Sequence, residues 1–132
     1  MTRYLLDTNA VIGVLKDVDS PLARRVRQHH PSEIAISSIV AHELFYGAFK
    51  SQRAEQNVAR VDSLRFEVLA FDREDARQAG AIRARLALGG QPIGPYDVLI
   101  AGQAMARQLV LVTRNIGEFQ RIEGLRVEEW QG

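Results

Sequence analysis

Leu109-Val110-Leu111-Val112-Thr113 decides how this chain folds. Four consecutive apolar residues with no alternating polar position leave no strand face for water, so the run reads as a strand buried on both sides inside a parallel sheet. Other runs end in the same way: residues 3–6 run through Leu5-Leu6 into Asp7-Thr8-Asn9, and Ile34 to Ile36 leads into Ser37-Ser38. Between them the apolar period lengthens to that of helices. Their starts carry recognisable caps, near Thr8, at Ser20-Pro21, at Ser37 or Ser38, and at Asp72 with Asp75. The helix from Asp72 is long and amphipathic and ends near Gly89-Gly90. Ser51 to about Leu64 reads as a polar-rich helix, Glu67 to Phe71 as a third strand, and Gln91 to Pro95 as a rigid connector. A nearly all-apolar helix follows from Pro95 to about Gln108, and a short strand near Val127 closes the series. This alternation predicts an α/β fold, an α/β/α sandwich around a central, mostly parallel sheet.

At 132 residues the chain is long enough for one core and too short for two ordinary ones, so residues 1–132 are expected to form a single domain. The formal charge is +1, and no overall basic excess advertises a nucleic-acid partner. Any attraction for phosphate must be local. All the basic residues except Lys16 and Lys50 are arginine, which suits bidentate phosphate contacts, although a GC-rich genome gives the same bias. Cysteine is absent, which excludes disulfides, thiolate zinc sites and a cysteine nucleophile. No apolar stretch approaches the ~18 residues of a membrane span and the start has no signal-peptide pattern, so a cytoplasmic location is expected.

Four carboxylates, Asp7, Glu43, Asp97 and Glu118, each stand at or just past the end of an apolar run. Each has an ordinary explanation. Asp7 could cap a helix, Asp97 could complement a helix dipole after Pro95, and Glu118 could be a solvated loop charge. Glu43 is harder to dismiss, because Ile39, Val40, Leu44 and Gly47 would surround it with apolar surface. In open parallel sheets, ligands bind beyond the carboxyl ends of the strands. Asp7 and Glu118 follow strands, Glu43 lies in the helix after the second strand, and Asp97 reaches the same edge only if its helix begins there. Four acids meeting at one point need a compensating cation, and oxygen ligands favour magnesium or manganese. Thr8, Asn9 and Thr113 could hydrogen-bond the carboxylates or serve as caps and strand-end hydroxyls, and Arg114 could meet phosphate or be a surface arginine. His29, His30 and His42 lack the partner spacing of a metal site. Phe45, Tyr46 and Phe49 read as core, with a dimer face as the alternative.

The same residues carry a family resemblance. The stretches Leu6-Asp7-Thr8-Asn9, Ile36-Ser37-Ser38 leading to Glu43-Leu44, Tyr46-Gly47-Ala48, Ile82-Arg83-Ala84, Ile93-Gly94-Pro95-Tyr96-Asp97 with Ile100-Ala101-Gly102, and Val112-Thr113 through Asn115 to Glu118-Phe119 resemble the PIN-domain ribonuclease toxins of the VapC family. The likeness continues through Gly124-Leu125-Arg126 to Glu129-Trp130 and covers essentially the whole chain. It implies a PIN-like fold and a magnesium- or manganese-dependent endoribonuclease. It also implies neutralisation by a VapB-type antitoxin and a cytoplasmic homodimer. The text is most similar to the branch that cuts initiator transfer RNA in its anticodon loop. By the resemblance, Asp7, Glu43 and Asp97 match the first three acids of the family's catalytic and metal-binding quartet. Many members place an aspartate where this chain has Asn115, so Glu118 is assigned as the fourth acid and Asn115 as a neutral ligand or phosphate contact. Gln103 stands where close relatives often have histidine.

Two rival classes remain on sequence grounds. An aspartyl-phosphate phosphotransferase would also place an Asp after the first strand, but it wants a second acid at Asn9 and a lysine near the later strands. A non-catalytic subunit that anchors an antitoxin at DNA would not need four acids on one edge.

Overall fold

A computed structural model of the chain describes residues 1–131. Its sheet consists of β1 (Tyr4–Leu6), β2 (Ile34–Ser37), β3 (Glu67–Leu69), β4 (Val110–Val112) and β5 (Val127–Glu128). The spatial order is β3-β2-β1-β4-β5 and every pairing is parallel. β1 and β2 are buried along their whole length, as an unbroken apolar run requires of a strand covered on both faces. The helices are α1 (Thr8–Lys16), α2 (Pro21–Gln28), α3 (Ser38–Lys50), α4 (Ala54–Asp62), α5 (Arg73–Leu88), α6 (Pro95–Ala106) and the single turn α7 (Ile116–Phe119).

From β1 the chain builds outward through β2 to β3, then returns to the other side of β1 to lay down β4 and β5. Right-handed crossovers therefore place α1 to α4 on one face and α5 with α6 on the other. The order reverses between β1 and β4, and a crevice opens there at the carboxyl ends of the strands. The register pairs Leu6 with both Ile36 and Val112, so Asp7, Ser37 and Thr113 come level on that edge.

Several boundaries differ from expectation for local reasons. Ser51 closes α3 by donating its hydroxyl to the Ala48 carbonyl, so the polar helix starts only at Ala54. β3 stops at Leu69 because the Phe71 N–H turns to Ser38 Oγ, while Ser37 caps α3. The segment after β4, expected as loop, contains α7. The core reading of Tyr46 and Phe49 is overturned: they are 61% and 66% exposed, and Phe45 is only half-buried. Val40, Leu44 and Ala48 recur every four residues and take the inner face of α3, which turns Phe45, Tyr46 and Phe49 outward.

α6 is held from behind. A Cβ on Gly102 would lie 2.5 Å from Ala79 Cβ, so only glycine lets α5 and α6 cross this closely. Beside the crossing, buried Asp75 accepts from Gln103 Nε2 at 2.9 Å and from Arg107 at 3.0 Å. Burial pushes the Asp75 carboxyl upward, but hydrogen bonds from Arg107, the Asp72 backbone and Gln103 hold it below the ordinary aspartate value. This network fixes the helix whose first turn carries Asp97.

Candidate active site

Asp7 is buried in the crevice, 2% exposed, at the end of β1. Its Oδ1 accepts from the Ala10 N–H at 2.9 Å, so it caps α1, and its Oδ2 accepts from the Thr113 hydroxyl at 2.5 Å. The capping and site readings of Asp7 are compatible. Burial raises its proton affinity above the ordinary aspartate value, against the lowering effect of those two hydrogen bonds.

The other three acids arrive from three helices. α6 begins at Pro95, as Asp97 needs in order to reach the carboxyl edge, and Asp97 lies in its first turn. Its carboxyl is pushed up to about 6 by burial first, then by the charges of Glu118, Asp7 and Glu43, and by a hydrogen bond to Glu118. All three other acids are therefore close enough to act on Asp97 electrostatically. Glu43, half-buried in the second turn of α3, accepts from the Thr8 hydroxyl at 2.6 Å. Glu118, half-buried in α7, accepts from Asn115 Nδ2 at 2.5 Å, while the Asn115 N–H donates to Thr113 Oγ1 at 2.9 Å.

The four acids are neighbours without forming a ready cage. Among the described residues, no three His, Cys, Asp or Glu side chains are arranged to close on one ion. Each acid is engaged by a hydroxyl, an amide or another carboxyl instead. Exposed Asn9 makes no side-chain hydrogen bond to any of them; it lines a small groove with Ile12, Gly13, Lys16 and Arg114. Lys16 was not singled out by sequence. Its spacing of seven from Asn9 was the available signal, since two helical turns return to the same face. Ser37, fully buried beside Asp7 on the sheet edge, was not among the residues assigned to the site.

A larger groove of about 580 Å³ starts at Glu43 and runs between α1, α3 and α4. Its walls are mainly apolar, with Ile12, Leu15, Leu44 and Val61, and Arg60 stands at its rim. Among the described residues, no helix is long and apolar enough to cross a membrane.

Residues 4–125 match the PIN domain family. The tRNA(fMet)-specific endonuclease VapC of Salmonella typhimurium is 46% identical over 98% of this chain and 99% of its own length. Its counterpart from Shigella flexneri is 42% identical over the same shares. A chain of DNA-bound VapBC from Salmonella typhimurium superposes with a TM-score of 0.94 at 45% identity, covering 98% of this chain and 99% of that one. A chain of VapBC2 from Rickettsia felis, bound to a promoter DNA fragment, gives 0.91 at 36% identity over 98% and 99%. Across its length and in its all-parallel sheet, the chain belongs to the PIN-domain family, among the VapC ribonuclease toxins.

Proposed function

We propose that this chain is a magnesium- or manganese-dependent endoribonuclease that cuts transfer RNA, with the initiator species as its target, and that a VapB-type antitoxin neutralises it. The observation that carries the reading is the gathering of four acids at one sheet edge, where burial first and then the charges of Glu118, Asp7 and Glu43 push the Asp97 carboxyl up. Crowded acids whose affinity for a proton is raised are a place where a divalent cation competes well with that proton. The donors are all hard oxygens, which fits magnesium or manganese better than zinc. Asp7 and Asp97 would hold the ion, with Glu43 and Glu118 completing or extending the set after modest side-chain rotation. When bound, it supplies a water of lowered pKa positioned for in-line attack on a phosphodiester. Thr113 and Ala10 hold the Asp7 carboxylate in one orientation, Thr8 holds Glu43, and Asn115 holds Glu118. Arg114 and Lys16, beside Asn9, offer cations to the flanking phosphates.

Partner and assembly follow from two surfaces. The apolar groove opening at Glu43 suits an antitoxin helix or tail whose arginine or lysine enters the acids. The outward face of α3, with Phe45, Tyr46 and Phe49, suits a second copy of the chain and supports a homodimer. The test is to incubate the purified chain with transfer RNA in magnesium, in manganese and in chelator, and to map new 5′ ends. A discrete metal-dependent cut that Asp7→Asn abolishes is expected. No cut by wild type in either metal would overturn the reading.

A further inference from the structure

We infer that His42 and Tyr96 form a base-stacking corner beside the four acids that holds the base next to the cut. The inference rests on the endoribonuclease reading above. His42 immediately precedes Glu43 on α3, and Tyr96 immediately precedes Asp97 on α6. Their ring centroids are 5.4 Å apart with planes inclined at 57°. Two acids of the site thus each have an aromatic ring as chain neighbour, and the rings meet across the gap between the two helices.

The core does not need either ring. Val98, Ile100 and Ala101 turn inward from α6, whereas Tyr96 is 45% exposed and His42 is exposed. Neither side chain makes a hydrogen bond among the described residues. A tilted pair leaves an open corner: a base lying flat on Tyr96 would present its edge to His42. Aromatic rings beside a backbone-binding site are sequence-tolerant stacking platforms for single strands, because every base has a π-face. A phosphate seated at the acids brings its own base to the adjoining wall, and a base inside a duplex has both faces already covered. The base next to the cut is the one that this corner can hold.

The test uses a fluorescein-labelled single-stranded RNA containing the mapped cut, bound to the Asp7→Asn protein and followed by anisotropy. Adding Tyr96→Ala should weaken binding roughly 5- to 150-fold, the loss expected for one base–aromatic stack, while Tyr96→Phe should keep it. An abasic nucleotide beside the cut should weaken the Tyr96 protein by a similar factor and leave the Tyr96→Ala protein indifferent. Sedimentation should find the same oligomeric state throughout. Undiminished binding by Tyr96→Ala, or a changed mass that assigns the rings to an interface between copies, overturns the inference while wild-type cleavage stands. Absence of any wild-type cleavage overturns the endoribonuclease reading, and this inference with it.

Discussion

The Thr113 hydroxyl donates to Asp7 Oδ2 at 2.5 Å, joining residues 106 positions apart at the carboxyl ends of β1 and β4. These are the strands between which the sheet order reverses. The same oxygen of Thr113 accepts from the Asn115 N–H, so one hydroxyl links the Asp7 carboxylate to the turn that presents Glu118. Orientation of the two outermost acids in sequence is thus set by a neutral side chain.

Thr113→Val is expected to lower divalent-ion affinity by roughly 10- to 100-fold, the usual effect of losing a group that orients a metal-binding carboxylate. It should also cost about 1–3 kcal/mol of stability, because Asp7 is left buried without that donor. Thr113→Ser restores the hydroxyl and should recover most of both. Calorimetric metal titration and denaturant unfolding measure them side by side; a valine variant with wild-type metal affinity would remove Thr113 from the site.

Asp97 makes the metal-free protein pH-sensitive. Its folded value of about 6 lies above its ordinary value of 3.8, so the folded chain binds that proton more tightly than the unfolded one. Its contribution to stability is therefore fully present below the ordinary value and is lost as pH rises through about 6. Metal-free Asp97→Asn should lack this decline and melt above wild type at pH 8, while being unable to cleave. Magnesium should raise the wild-type melting temperature more at alkaline than at acidic pH. Parallel melting curves for the two proteins across that range would sink the account.

The sheet was legible because β1, β2 and β4 are covered on both faces and so keep unbroken apolar runs. Caps at Ser20, Ser37 and Asp72 placed helix starts for the same kind of local reason, a side-chain oxygen facing a free N–H. α7 was not legible, since a four-residue turn has no period to read. Asp75 looked like another cap, which it is, but its partners Gln103 and Arg107 lie 28 and 32 positions away and leave no local trace. The candidate acids could be listed from sequence, yet their separation could not. The outward turn of Phe49 was missed because three aromatic residues in five positions outweighed the four-residue spacing of Val40, Leu44 and Ala48.

Leu15→Glu places a charge inside the apolar groove that starts at Glu43. If the antitoxin lies there, its affinity should fall at least about tenfold, because an unpaired buried charge is strongly disfavoured. Cleavage by the free variant should stay near wild type, as Leu15 belongs to the apolar wall of the groove and is neither one of the four acids nor a hydrogen-bond partner of their side chains. Antitoxin should also release bound metal from wild type if its cation enters the acids. Tight antitoxin binding by Leu15→Glu would move the partner to another surface, and full simultaneous occupancy by metal and antitoxin would exclude displacement.

The fourth acid is open to the most direct test. Asn115 Nδ2 donates to Glu118 Oε2, and the Glu118 charge is, after burial, the largest influence that raises the Asp97 carboxyl, so the amide holds a carboxylate that acts on the third acid. Glu118→Gln should weaken divalent-ion dependence and slow cleavage by removing a charge from the set. Asn115→Ala should do less, since it removes only the bond that positions that charge. Asn115→Asp replaces the donor by a second negative charge facing Glu118, which should raise the proton affinity of the acids and tighten metal binding only if position 115 itself reaches the ion. Metal-dependent rates rank the three variants: an unchanged titration curve and rate for Glu118→Gln, with tighter binding in Asn115→Asp, would transfer the fourth position from Glu118 to residue 115.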